Sequence, residues 1–93
     1  MKESWNEKNF KSSSETKTEE YKLILLNDNV NSFDNVIQNL VRICGFDYER
    51  AEQCTLLTHL KGKYNIMSGN IHTLTELHEQ LKRNNIQTKI EKK

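Results

Sequence analysis

The run Tyr21-Lys22-Leu23-Ile24-Leu25-Leu26 is apolar on both sides of its alternation, apart from Lys22. A short continuous apolar run bounded by turn residues reads as a strand buried on both faces, and such a strand belongs in the middle of a sheet. In a chain of 93 residues, one small domain at most, few segments remain to flank it. Lys63 to Met67 is one, with Tyr64 and Ile66 on a common face. The other is the alternating set Ile86, Thr88 and Ile90. With the first strand central, the sheet can be fully antiparallel in the order second, first, third.

The segments between the strands carry helical periodicity. Phe33, Val36, Ile37, Leu40, Val41 and Cys44 follow the i, i+3, i+4, i+7 spacing of a one-sided helix, with Asn31 or Ser32 to cap it and Gly45 to end it. Asp47 caps a second helix, with Glu49 in its first turn, where the dipole favours an anion. Ala51, Cys54, Leu57 and Leu60 are its expected inner stripe, and Gly62 closes it. After a Gly69-Asn70 turn, Ile71, Leu74, Leu77, His78 and Leu81 give a third helix its face. All three glycines fall at boundaries, and no proline interrupts an element. The expected architecture is β-α-α-β-α-β: an α+β two-layer sandwich with a three-stranded antiparallel sheet and helices on one face.

Residues 21–93 form the expected domain. Met1 to Glu20 reads as a flexible tail without apolar periodicity, too polar to offset its ordering entropy by burial. Trp5 and Phe10 are its only large apolar groups besides Met1, and are candidate contact points for a partner.

Chemistry-bearing residues are sparse. His72 and His78 are six apart, off any shared helix face, and neither C-x-x-C nor H-x-x-x-H occurs. Cys54 and His59 are five apart on one helix and face different ways. No nucleophile elbow or phosphate-binding glycine loop exists. No enzyme activity, metal or cofactor is expected. The net charge is +1, with Lys and Arg scattered among Glu and Asp, so no nucleic-acid footprint is present. Neither a signal peptide nor a membrane-spanning run is evident, and the two cysteines read as reduced thiols of a cytoplasmic protein.

What remains is the polar elbow Asn27-Asp28-Asn29 that ends the first strand. Side-chain oxygens gathered at a sheet rim beside an apolar surface suit capture of a small cation such as an amine. His59 lies at the end of the second helix, and the neighbouring Thr55 and Thr58 soften that helix as if facing a groove.

Residues 21–29 (Tyr-Lys-Leu-Ile-Leu-Leu-Asn-Asp-Asn), 47–54 (Asp-Tyr-Glu-Arg-Ala-Glu-Gln-Cys) and 58–63 (Thr-His-Leu-Lys-Gly-Lys) together resemble the ClpS family. The resemblance runs from Tyr21 to about Glu91. It implies the same β-α-α-β-α-β sandwich, similar also to the C-terminal domain of the ribosomal stalk protein. It further implies a bacterial adaptor that binds the N-terminal domain of a Clp-family ATPase, of ClpA or ClpC type. Such adaptors present N-degron substrates, whose first residue is usually Leu, Phe, Tyr or Trp, for ATP-dependent proteolysis under the N-end rule. By the resemblance, Asn27, Asp28 and His59 hold the substrate α-amino group, while Phe33, Val36, Thr55, Thr58 and Ile86 line the side-chain pocket. The N-terminal tail takes part in handing substrate over.

The chain departs from the family pattern in three places. Asn29 stands where a second elbow Asp is common. Thr55 and Thr58 replace a Met and a Val. The segment from the second strand through the third helix is shorter. Two other readings compete: an interaction module of this fold that does not read amino termini, and a small hydrolase or metal protein.

Overall fold

The computed structural model describes residues 20–93. Residues 1–19, with Trp5 and Phe10, lie outside the described residues. The elements run β1 (Tyr21–Leu26), α1 (Phe33–Cys44), α2 (Tyr48–Lys61), β2 (Lys63–Gly69), α3 (Ile71–Arg83) and β3 (Thr88–Lys92). The sheet order is β2-β1-β3 with both pairings antiparallel, as the doubly apolar β1 requires. Leu23 and Leu25 point into the core, whereas Ile24 is buried outside it, in register with Asn65 and Lys89. Glu20 already belongs to the sheet's edge: its carbonyl accepts from the Lys93 N–H at 3.1 Å, and its carboxylate pairs with the Lys93 ammonium.

The helices cover the Leu23/Leu25 face. α3 packs against all three strands and α1, and α2 lies beside α1 and β2. Leu23, Leu25, Leu40, Leu74, Leu81 and Ile86 are the largest fully buried side chains. Each is worth about 1.5–3 kcal/mol by removal from water. Phe46, in the link between α1 and α2, joins the same core. The β1–β2 register slips between Leu23 and Ile24, leaving Ile66 as the extra residue of a bulge. Its carbonyl accepts from the Arg50 guanidinium at 3.0 Å, and that guanidinium lies 3.9 Å over the Phe46 ring centroid.

The helix ends follow capping chemistry. Ser32, Asp47 and Asn70 each accept the N–H three residues on. Gly45 and Gly62 take left-handed conformations, φ 75 and 88, where a Cβ would be strained.

Several expectations are corrected. Ile86 is not in the third strand, which begins at Thr88; Ile86 is buried in the link before it. Leu60 is 68% exposed, and the inner stripe of α2 is Ala51, Cys54, Thr55 and Thr58. At 100° per residue, steps of three alone drift by about 60° each, so Leu60 lies roughly opposite Ala51. Val41 and Ile71 sit at the exposed edges of their stripes. Asn39 is buried in α1; its amide donates to the Asn35 carbonyl and its oxygen accepts from Arg42.

Candidate functional site

The elbow after β1 is pinned on two sides. The Leu26 N–H donates to the Gln87 carbonyl and the Asn27 N–H to the Gly62 carbonyl, each at 3.0 Å. The first bond ties the elbow to the α3–β3 link. The second ties it to the glycine that closes α2, so His59 and the elbow are set by one short contact.

Within the elbow, Asp28 makes the turn. Its Oδ1 accepts the N–H groups of Val30 (2.8 Å) and Asn31 (2.9 Å). Among the described residues its Oδ2 accepts only the Asn31 side-chain amide, at 3.3 Å. The same Asn31 amide donates to the Asn85 carbonyl at 2.8 Å, where Asn85 holds a φ of 64. Asn31 therefore clamps the elbow onto the α3–β3 link. Partial burial pushes the Asp28 carboxyl up, but the hydrogen bonds from Asn31 and Val30 outweigh it, and the net shift is downward. Asp28 stays an anion with most of Oδ2's accepting capacity unspent.

All nine residues picked from the sequence line one cavity of about 250 Å³. The polar end has Asn27, Asp28, Asn29 and His59. The apolar end has Phe33, Val36, Thr55, Thr58 and Ile86. The side chains of Asn27, Asn29 and His59 make no hydrogen bond within the described residues, so their acceptors are available to a ligand. The Phe33 ring stands edge-on to the His59 imidazole, centroids 5.3 Å apart at 74°, and fixes where that ring can sit. The threonines are less polar than their formulae suggest. Thr55 Oγ1 donates to the Ala51 carbonyl at 2.8 Å and Thr58 Oγ1 to the Cys54 carbonyl at 2.7 Å. Both hydroxyls are satisfied within α2 and add no unpaired donor to the cavity.

At 250 Å³ the cavity lies below the roughly 300–1,000 Å³ typical of drug-sized ligands. It suits one large side chain with a cationic group beside it. A broader groove of about 830 Å³ runs between α2 and β2 beyond Phe33, walled by Asp47, Glu49 and Glu52. None of the four elbow and histidine groups reaches it.

Sequence reasoning missed Asn31, as well as Leu25, Leu26 and Ser32 in the cavity wall. The spacing Asp28-x-x-Asn31 was the available signal for the clamp, since an Asx side chain closes a turn onto N–H groups two and three residues on. Burial pushes the Cys44 thiol up to about 11, with Cys54 adding to the rise against Arg50, and burial raises Cys54 as well. At neutral pH both are thiols, not thiolates. Among the described residues no three His, Cys, Asp or Glu side chains are grouped to hold a metal ion. Nor is any described helix long and apolar enough to cross a membrane.

Residues 16–91 match the family described as ATP-dependent Clp protease adaptor protein ClpS. The chain belongs to the ClpS family. Among solved structures it is similar to ClpS2 of Agrobacterium tumefaciens bound to L-phenylalaninamide, with a TM-score of 0.73 and 16% sequence identity over 83% of this chain and 100% of that one. No curated protein sequence matches it. The family match spans all but the last two described residues, and the structural likeness shows the ClpS fold. The β-α-α-β-α-β sandwich is the fold that the resemblance implied, and the β2-β1-β3 order is the one expected from a central first strand.

Proposed function

We propose that this ClpS-family adaptor captures proteins by a free amino terminus bearing a bulky hydrophobic first residue and offers them to the N-terminal domain of a Clp-family ATPase. The observation that carries the reading is a single 250 Å³ cavity with an anion and unpaired acceptors at one end and apolar walls at the other. An α-ammonium has three donors and a charge. Asp28 supplies the countercharge through Oδ2, while the Asn27 oxygen and a His59 ring nitrogen accept. Each charge-assisted bond contributes roughly 1.5–3 kcal/mol. Burying one large side chain against Phe33, Val36, Thr55, Thr58 and Ile86 contributes about 1.5–3 kcal/mol more. An internal peptide bond brings neither charge nor three donors to the elbow, and leaves its acceptors unmet.

L-phenylalaninamide, the ligand of the Agrobacterium relative, has both features: a free α-amino group and an aromatic side chain. Asn29, in place of a second carboxylate, leaves the rim with Asp28 as its anion. Residues 1–19 act in this reading as the segment that passes substrate to the ATPase, with the folded adaptor spanning 20–93 in the bacterial cytoplasm.

The test is fluorescence anisotropy of a labelled peptide beginning with Phe, against the same peptide N-acetylated. Saturable binding of the free amine alone supports capture. Equal binding of both peptides, or of neither, rejects it in favour of an interaction module that does not read amino termini.

A further inference from the structure

The two edges of the sheet are guarded unequally. The β2 edge carries the Ile66 bulge, and the Arg50 guanidinium donates to the Ile66 carbonyl at 3.0 Å. A bulge and a bonded carbonyl stop a further strand from pairing there. β3 has neither: Thr88–Lys92 pairs with β1 without a register shift. The Leu26 N–H donates to the Gln87 carbonyl and the Lys93 N–H to the Glu20 carbonyl, so the odd-numbered residues of β3 turn their backbone groups to β1. Alternation turns the N–H and C=O of Ile90 to the open edge, where no described residue pairs with them. The half-buried Ile90 side chain packs on the core side. Lys89 and Glu91 share the outer face, both partly exposed, with their charged atoms 2.8 Å apart. A lysine on an edge strand ordinarily discourages pairing. Here Glu91 follows two positions on, and the order Lys89-Ile90-Glu91 is complementary to itself when reversed.

We propose that β3 is a docking edge for a second copy of this chain: two β3 strands pair antiparallel about a two-fold axis at Ile90 and join the two three-stranded sheets edge to edge. On that axis Ile90 and the partner's Ile90 form a hydrogen-bonded pair, each N–H meeting the other's carbonyl. Lys89 lies opposite the partner's Glu91, with Cα atoms about 4.5 Å apart, where opposite charges attract. The same pair recurs on the other side of the axis. Centring the strands on Lys89 or on Glu91 sets like charges face to face, so charge selects the Ile90 register. The two-fold pairing consumes the open edge and the β2 edge offers no second one, so assembly ends at the dimer. Each elbow follows β1 at the Gln87 end of β3. The two elbows therefore fall at opposite ends of the seam, and amine capture plays no part in the contact.

The experiment is sedimentation equilibrium of the full chain from about 10 µM to about 1 mM, a range suited to an edge contact this small. The mass is expected to rise from 11.0 kDa toward twice that value and no further. Lys89→Glu and Glu91→Lys each set two like-charge pairs across the seam and should weaken the dimer about tenfold or more. The double exchange, Lys89→Glu with Glu91→Lys, restores opposite charges and should recover it. Circular dichroism checks that each variant folds. In a wild-type dilution series, amide NMR should show Ile90 moving while Lys63–Gly69 stays unchanged. A mass constant at 11.0 kDa overturns the proposal, as does growth beyond the dimer. So does a dimer that a single reversal leaves as tight, a double exchange that fails to recover it, or shifts gathered on β2. The wild-type mass and shifts decide without the variants, should one not fold.

Discussion

Replacing Asp28 by Asn separates its two roles. The amide keeps an oxygen where Oδ1 accepts from Val30 and Asn31 at 2.8 and 2.9 Å, so the turn survives. The Oδ2 side becomes an NH2 group facing the Asn31 amide. That removes a weak 3.3 Å bond, but the Asn31 bond to Asn85 at 2.8 Å remains. What disappears is the countercharge. The NH2 group offers the ammonium no acceptor, so the whole charge-assisted bond is lost, about 1.5–3 kcal/mol, or roughly a ten- to hundredfold rise in Kd. The melting temperature should fall by less than about 4 °C, since under 1 kcal/mol of turn stability is affected. Asp28→Ala instead removes the acceptor for both turn N–H groups, comparable to losing a helix cap at about 1 kcal/mol. It should lower the melting temperature by about 4–8 °C as well as weaken binding. Peptide titration by anisotropy and thermal melts by circular dichroism read the two quantities separately. If Asp28→Asn binds a Phe-starting peptide as tightly as wild type, the carboxylate only builds the turn, and the countercharge argument fails.

The Asp28 carboxyl is depressed below its usual 3.8, so its contribution to stability is present above that value and lost as pH falls through the lower folded value. The stability gap between wild type and Asp28→Asn should stay constant from neutral pH to about pH 4 and close only below it, by urea titration; a gap that closes near pH 6 would contradict this. Thr55→Met adds volume to a 250 Å³ cavity and should weaken peptides beginning with Trp or Phe about tenfold while leaving the melting temperature within a few degrees. Unchanged affinity would place the first side chain elsewhere. Cys44, held at about 11 against an ordinary 9.0, should react with a thiol reagent at pH 8 roughly a hundredfold more slowly than in the unfolded chain; equal rates would contradict its burial. Deleting residues 1–19 removes no residue of the described core, and the melting temperature should move by less than about 2 °C. A large drop would mean that Trp5 or Phe10 packs on the domain.

Much of the fold was legible because each local signal had one physical meaning. Both faces of Tyr21–Leu26 are apolar, so it is central, and Gly45 and Gly62 stand where helices must turn left-handed. The failures have equally local causes. Hydropathy counts Thr55 and Thr58 as polar, but each hides its hydroxyl on a helix carbonyl and is buried, while Leu60, apolar and mis-phased, is left in solvent. Ile86 continues the alternation of Thr88 and Ile90, yet the turn through Asn84 and Asn85 ends too late for it to join the strand. The bulge at Ile66 depends on an Arg50 contact from another element, which no periodicity encodes. At the site, the residue types were readable one by one, but the Asn31 clamp was not. It needs the Asn85 carbonyl, 54 positions away along the chain, and so exists only once α3 and β3 have closed on the elbow.

The most direct measurement is amide NMR of the isotope-labelled protein titrated with L-phenylalaninamide, followed by the N-acetylated compound. Capture of amine and side chain by one cavity predicts saturable shifts confined to Asn27 through Phe33, Val36, Thr55, Thr58, His59 and Ile86, with none from the acetylated ligand. Shifts gathered instead along the Asp47–Glu52 groove, or identical responses to both ligands, would contradict it.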